Sequence, residues 1–80
     1  MSKEELQERL KDIREEIKRE EEAKKEDNAY YASLVRDATD EIEKFNYRSM
    51  KKEVAWEHDM QIEQLKLLKE QIKIEIKLAK

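Results

Sequence analysis

The chain has 80 residues, of which 49% are charged and 38% apolar, and its formal net charge is −3. A chain of this length makes at most one small domain, and ordinary domains carry only about 25% charged residues. The absence of Gly, Pro and Cys excludes a disulfide framework and thiolate metal sites, and argues against tight β-hairpins and phosphate-binding loops. We therefore expect an all-α fold of a few long helices joined by polar residues.

Two features of the sequence bear on location and on nucleic acids. No apolar run approaches the roughly 18 residues that cross a membrane, and the first five residues lack the apolar core of a signal peptide, so we expect a cytoplasmic protein without a membrane span. Residues 1–28 and 29–60 are acidic, with net charges of −3 and −2, whereas residues 61–80 carry +2. This distribution disfavours nucleic-acid binding along the whole chain and permits antiparallel pairing between copies.

The first predicted helix is narrow and highly charged. Ser2 followed by Glu5 forms a capping box, and four apolar residues then follow at spacings typical of a coiled-coil stripe: Leu6, Leu10, Ile13 and Ile17. Residues 18–28 contain one apolar residue, Ala23, which predicts a solvated helix face. We assign this helix to residues 3–26 of a single helical domain, 1–80, with a joint at residues 27–28, where Asp and Asn cap well.

The main helix is predicted over residues 29–79. Its clearest pattern is a series of apolar residues eleven apart, which corresponds to three helical turns: Leu34, Phe45, Trp56, Leu67 and Leu78. The stripe through this series is in phase with the N-terminal stripe. The pattern fits one continuous helix of about 120 Å, at about 1.5 Å per residue, or a hairpin bent near Asp27. Continuity is favoured through residues 46–49.

The C-terminal half carries a second apolar stripe on nearly the opposite side. A helix that is apolar on two sides must be covered on two sides, so we expect other copies of the chain, or a partner protein, to cover both stripes. The predicted interface residues are therefore Leu34, Phe45, Trp56, Met60, Leu67, Ile74 and Leu78 on the first stripe, and Val54, Leu65, Ile72 and Ile76 on the second. Residues 72–78 also alternate with period two, which leaves a strand as an alternative there.

No arrangement typical of catalysis or metal binding is identifiable. His58 is the only histidine, and its neighbours one turn away are Val54, Ala55, Gln61 and Ile62, none of which is a usual metal ligand. We interpret His58 as a histidine at the edge of an apolar stripe. The aromatic residues lie in the middle third of the chain at helical spacing, where core packing is favoured over a partner site. We expect no enzymatic activity, cofactor or metal.

The sequence thus predicts a coiled coil or helical bundle that acts through self-assembly and protein–protein interaction. The alternative is a small acidic inhibitor or adaptor, of viral or mobile-element type, that occupies a site on a partner protein. In that case the free surface of residues 18–28, or the second stripe, would make the contact.

Overall fold

The computed structural model describes residues 2–79 and contains two long helices. α1 spans Lys3–Asp37 and α2 spans Glu41–Leu78. They pack antiparallel along their whole length as an extended helical hairpin of 62 × 14 × 12 Å. The all-helical expectation and the hairpin version of it are confirmed, while the single continuous helix is wrong. The strand alternative for residues 72–78 is also wrong, because this segment is the last part of α2.

Both helices begin with the side-chain caps that their sequences supply. Ser2 Oγ accepts a hydrogen bond from the backbone N–H of Glu5 at 3.2 Å, which confirms the predicted start of α1. Asp40 Oδ1 accepts from the backbone N–H of Ile42 at 3.1 Å at the start of α2. Such caps satisfy backbone donors that have no partner inside the helix.

The bend lies at residues 38–40, eleven residues beyond the predicted joint. Ala38 and Asp40 have extended backbone conformations, whereas Asp27 and Asn28 lie inside α1. The prediction of a joint at 27–28 was wrong because nothing there forces a helix to stop, and the Asp27 side chain contacts α2 instead of capping a helix. A usable signal existed at the true bend: Asp40 is followed three residues later by Glu43, a spacing typical of helix starts.

The apolar core is concentrated at the open end of the hairpin. Leu6 and Ile13 of α1 pack with Ile72 of α2, whose exposure is 1%. Four partly buried residues surround them: Leu10, Ile17, Ile76 and Ala79. Ile62 and Leu65 continue the buried face towards the middle of α2. The second stripe is thus covered by α1 of the same chain, which corrects the expectation that other copies must cover it.

The two faces of α2 can be separated by one pair of substitutions. Ile72→Ala should lower the free energy of unfolding by about 2–5 kcal/mol, as is usual for truncating a buried isoleucine. Ile74→Ala, two residues along the same helix, removes a side chain that is 57% exposed and should cost clearly less in the monomer. Urea unfolding at low protein concentration measures both. Equal losses would contradict the burial of Ile72 against α1.

Candidate functional site

A polar cluster lies between the helices, beyond the apolar core. His58 of α2 contacts two carboxylates of α1: its Nδ1 lies 2.5 Å from Glu20 Oε1, and its Nε2 lies 2.6 Å from Asp27 Oδ2. Glu20 and Asp27 are seven residues apart, two helical turns, and therefore lie on the same face of α1. The His58 side chain is only 15% exposed. We call these three residues the histidine clamp.

The clamp favours the protonated imidazole. A carboxylate accepts hydrogen bonds, and a neutral imidazole has one N–H only, so that its other nitrogen would face a carboxylate with a lone pair. Protonation gives both nitrogens a hydrogen to donate. Accordingly the pKa of His58 is raised above its ordinary value of 6.5, chiefly by the hydrogen bond to Asp27 and then by that to Glu20, while partial burial acts in the opposite direction.

A third α1 residue extends the polar contact. Lys24 Nζ lies 2.5 Å from Asp59 Oδ1 on α2, and an open groove of about 560 Å³ runs beside the clamp, lined in part by Tyr30, Tyr31 and Glu57. The prediction that residues 18–28 form only a solvated face was therefore wrong for Glu20, Lys24 and Asp27. An exposed ion pair such as Lys24–Asp59 is worth about 0–1 kcal/mol, so its main effect is on alignment.

The geometry suits a structural clamp better than a chemical centre. Both ring nitrogens of His58 are engaged by carboxylates on opposite sides of the ring, so neither is available as a base or as a metal ligand in this arrangement. Within residues 2–79, no group of three or more His, Cys, Asp and Glu side chains could hold a metal ion. Buried polar contacts of this type fix the register between helices in some proteins.

The second candidate feature is an exposed apolar face on the far side of α2. Seven large apolar side chains lie there within about 60° of one another at 100° per residue, and each is at least 45% exposed. They are Ile42, Phe45, Trp56, Met60, Leu67, Ile74 and Leu78. We call these seven residues the α2 ridge. It lies opposite the face that packs on α1.

The opposite surface of the hairpin has a different character. The outward face of α1 is lined with exposed charged residues: Glu4, Glu8, Lys11, Glu15, Lys18, Glu22 and Lys25. This face needs no cover, because charged side chains are well solvated there. The hairpin thus presents a charged, solvated face on α1 and an apolar face on α2.

The structure divides the predicted interface residues into two groups. Val54, Leu65, Ile72 and Ile76 face α1, as buried or half-buried side chains. Six of the other seven belong to the exposed ridge, and Leu34 lies half-buried on α1, so the eleven-residue series is split between two helices. In the single hairpin, Tyr30, Phe45 and Trp56 are each at least 60% exposed, so the core between α1 and α2 does not contain them.

The clamp was missed because its members are distant in the sequence. Glu20 is 38 residues and Asp27 is 31 residues from His58, and only the position of the bend brings them together. One signal was available: Glu20 and Asp27 continue the phase of the stripe through Leu6, Ile13 and Ile17, which places two carboxylates where apolar residues would be expected on a buried face.

The clamp predicts that the hairpin is less stable at higher pH. Because the pKa of His58 is raised on folding, the folded state binds the proton more tightly than the unfolded state. The stabilisation that protonated His58 gives to the folded hairpin is complete below its unfolded-state pKa of 6.5. It is lost as the pH rises through the pKa that His58 has in the folded state. Urea unfolding across this interval should show falling stability in the wild type and a flat profile in His58→Gln.

Proton NMR measures the pKa of His58 directly, since the chain contains one histidine. Variants of the two carboxylates serve as the matched controls. The titration midpoint should lie above 6.5 in the wild type. Asp27→Asn should lower it more than Glu20→Gln, because the Asp27 hydrogen bond is the larger cause. A midpoint at or below 6.5 in the wild type would show that the clamp does not form.

Neither helix of the described chain has a segment long and apolar enough to cross a membrane. Comparisons with models of protein families, with curated proteins and with solved structures find no match to this chain. The clamp and the α2 ridge are therefore the two features of the hairpin from which a function can be inferred.

Proposed function

We propose that this protein is a non-enzymatic, cytoplasmic assembly protein that associates with copies of itself through the α2 ridge, forming a coiled-coil contact between hairpins. The observation that carries the proposal is the row of seven exposed apolar side chains on one face of α2. A helix with apolar residues on two sides requires cover on both, and α1 supplies it on one side only.

The size of the ridge supports a specific contact. If each ridge side chain offers about 150 Å² when fully exposed, the lower end of the range for aromatic residues, the exposed fractions correspond to roughly 660 Å² per copy. The largest apolar patch on a typical monomer is about 300–600 Å², and a standard interface buries about 800 Å² per partner. With flanking polar residues, the ridge is large enough for a stable pair.

Trp56 is the natural anchor of this contact. It lies near the middle of α2 and is 62% exposed, with Met60 one turn further along. Tryptophan is among the residues most enriched at energetic centres of interfaces, especially near their geometric centre. Exposed tryptophan on a chain that is otherwise rich in charge is therefore better explained by association than by solvation.

The adaptor alternative would use the same ridge against a foreign protein. The second apolar stripe and residues 18–28 are less accessible to a partner than the sequence predicts. α1 covers the second stripe, and part of residues 18–28 contacts α2. Self-assembly is favoured because the ridge extends from Ile42 to Leu78, nearly the full length of α2, and a second α2 has the same length and an equally apolar face.

Trp56→Ala tests the proposal. The substitution should weaken self-association by at least tenfold, about 1.4 kcal/mol or more, because truncated interface tryptophans commonly cost about 2 kcal/mol or more. The stability of the isolated hairpin should change little. Sedimentation equilibrium over a concentration series measures the first effect, and urea unfolding of the dilute protein measures the second.

Tyr30→Ala is the matched control, because Tyr30 is also a 60% exposed aromatic residue but lies on α1, away from the ridge. It should leave the association constant unchanged. A wild-type chain that stays monomeric at every concentration, or a Trp56→Ala variant with wild-type association, would refute self-assembly through the ridge. A monomer that binds a foreign protein through Trp56 would favour the adaptor.

A further inference from the structure

We propose that, in the self-assembled state, the α2 ridges of two copies pack antiparallel about a two-fold axis near Gln61 and Ile62. This inference rests on the proposed function and specifies its partner and geometry. In this arrangement Phe45 faces Leu78 of the second copy, and Trp56 faces Leu67 of the second copy. Both pairs are centred on the same point of α2, between Gln61 and Ile62, because Phe45, Trp56, Leu67 and Leu78 follow one another at intervals of eleven residues.

The sizes of the ridge side chains distinguish antiparallel from parallel pairing. The N-terminal half of the ridge carries the aromatic rings of Phe45 and Trp56, whereas the corresponding positions of the C-terminal half are Leu67 and Leu78. Parallel pairing would place ring on ring at one end and leucine on leucine at the other, which gives an uneven distance between helices. Antiparallel pairing sets an aromatic ring against a leucine in the Phe45–Leu78 and Trp56–Leu67 layers, as close packing requires.

The distribution of charge along α2 also favours antiparallel pairing. Residues 41–60 contain five acidic and four basic residues, whereas residues 61–78 contain three acidic and four basic residues. Antiparallel pairing sets the acidic half against the basic half, and it also opposes the helix dipoles. The contribution is small and screened by salt, so the packing of side-chain sizes is the main determinant.

The residues beside the ridge are compatible with this register. Lys52 and Glu70 are exposed on the same flank, and antiparallel pairing about this centre brings Lys52 next to Glu70 of the second copy, once on each side of the axis. Asp59 approaches Glu63 of the second copy near the centre, which is unfavourable. Lys24 lies 2.5 Å from Asp59 and compensates this charge.

Cysteine cross-linking tests the orientation, because the chain has no cysteine of its own. Phe45→Cys and Leu78→Cys proteins are mixed, allowed to associate and oxidised, and the products are separated by mass. A disulfide requires Cα atoms within about 7 Å. In the antiparallel pair, Phe45 positions of the two copies are about 50 Å apart at 1.5 Å per residue, so only the mixed dimer should form. Both sites are exposed in the hairpin, so the variants should fold.

A second pair keeps every ridge side chain in place. Lys52→Cys with Glu70→Cys should likewise give the mixed covalent dimer alone, whereas Glu22→Cys, on the charged face of α1, should give none. Homodimers from each single variant, a random mixture, or no covalent dimer in a protein that sediments as a dimer would overturn the antiparallel arrangement while leaving self-assembly intact. A wild-type chain that sediments only as a monomer would overturn both.

Discussion

The arrangement of this molecule depends on a mismatch between its two helices: α2 is apolar on two sides, and α1 has a single apolar stripe. Folding the chain back at residues 38–40 covers the α2 face that contains Leu65 and Ile72. No second stripe remains on α1 to cover the other face, because the outward side of α1 is charged. The exposed α2 ridge follows directly, and with it the expectation of association.

The covered face is not uniform along the hairpin. Leu6, Ile13 and Ile72 form a core at the open end, whereas the middle is held by His58 between two carboxylates. Apolar contacts between two smooth helices tolerate a shift by one turn more readily than paired charges do, since a shift would leave partly buried charges without partners. The histidine clamp therefore defines the alignment of α1 on α2 and links that alignment to pH through the raised pKa of His58.

The two features lie on opposite faces of the same part of α2. His58 points towards α1, and Trp56 and Met60 of the ridge lie within two residues of it in the sequence but on the outer face. The clamp joins this part of α2 to α1, while the ridge on the outer face stays exposed. Association in turn would stabilise the hairpin by mass action, because it requires the folded ridge. Because the core of the hairpin is small, we expect this contribution from association to matter for its stability.

Local signals in the sequence determined the helices. The absence of Gly and Pro, the capping box at Ser2 and Glu5, and the apolar spacing predict long helices without reference to any other part of the chain, because these effects act within one or two turns. The phase of the stripes also identified two apolar faces on α2. The position of the bend was decided by the tertiary structure, since residues that cap helices well occur both at Asp27 and Asn28 and at Asp40, and the packing of α1 on α2 selects between these two weak stops. Once the bend lies at residues 38–40, it determines which face is covered, that Trp56 is exposed, and that Glu20 and Asp27 meet His58 from more than 30 residues away.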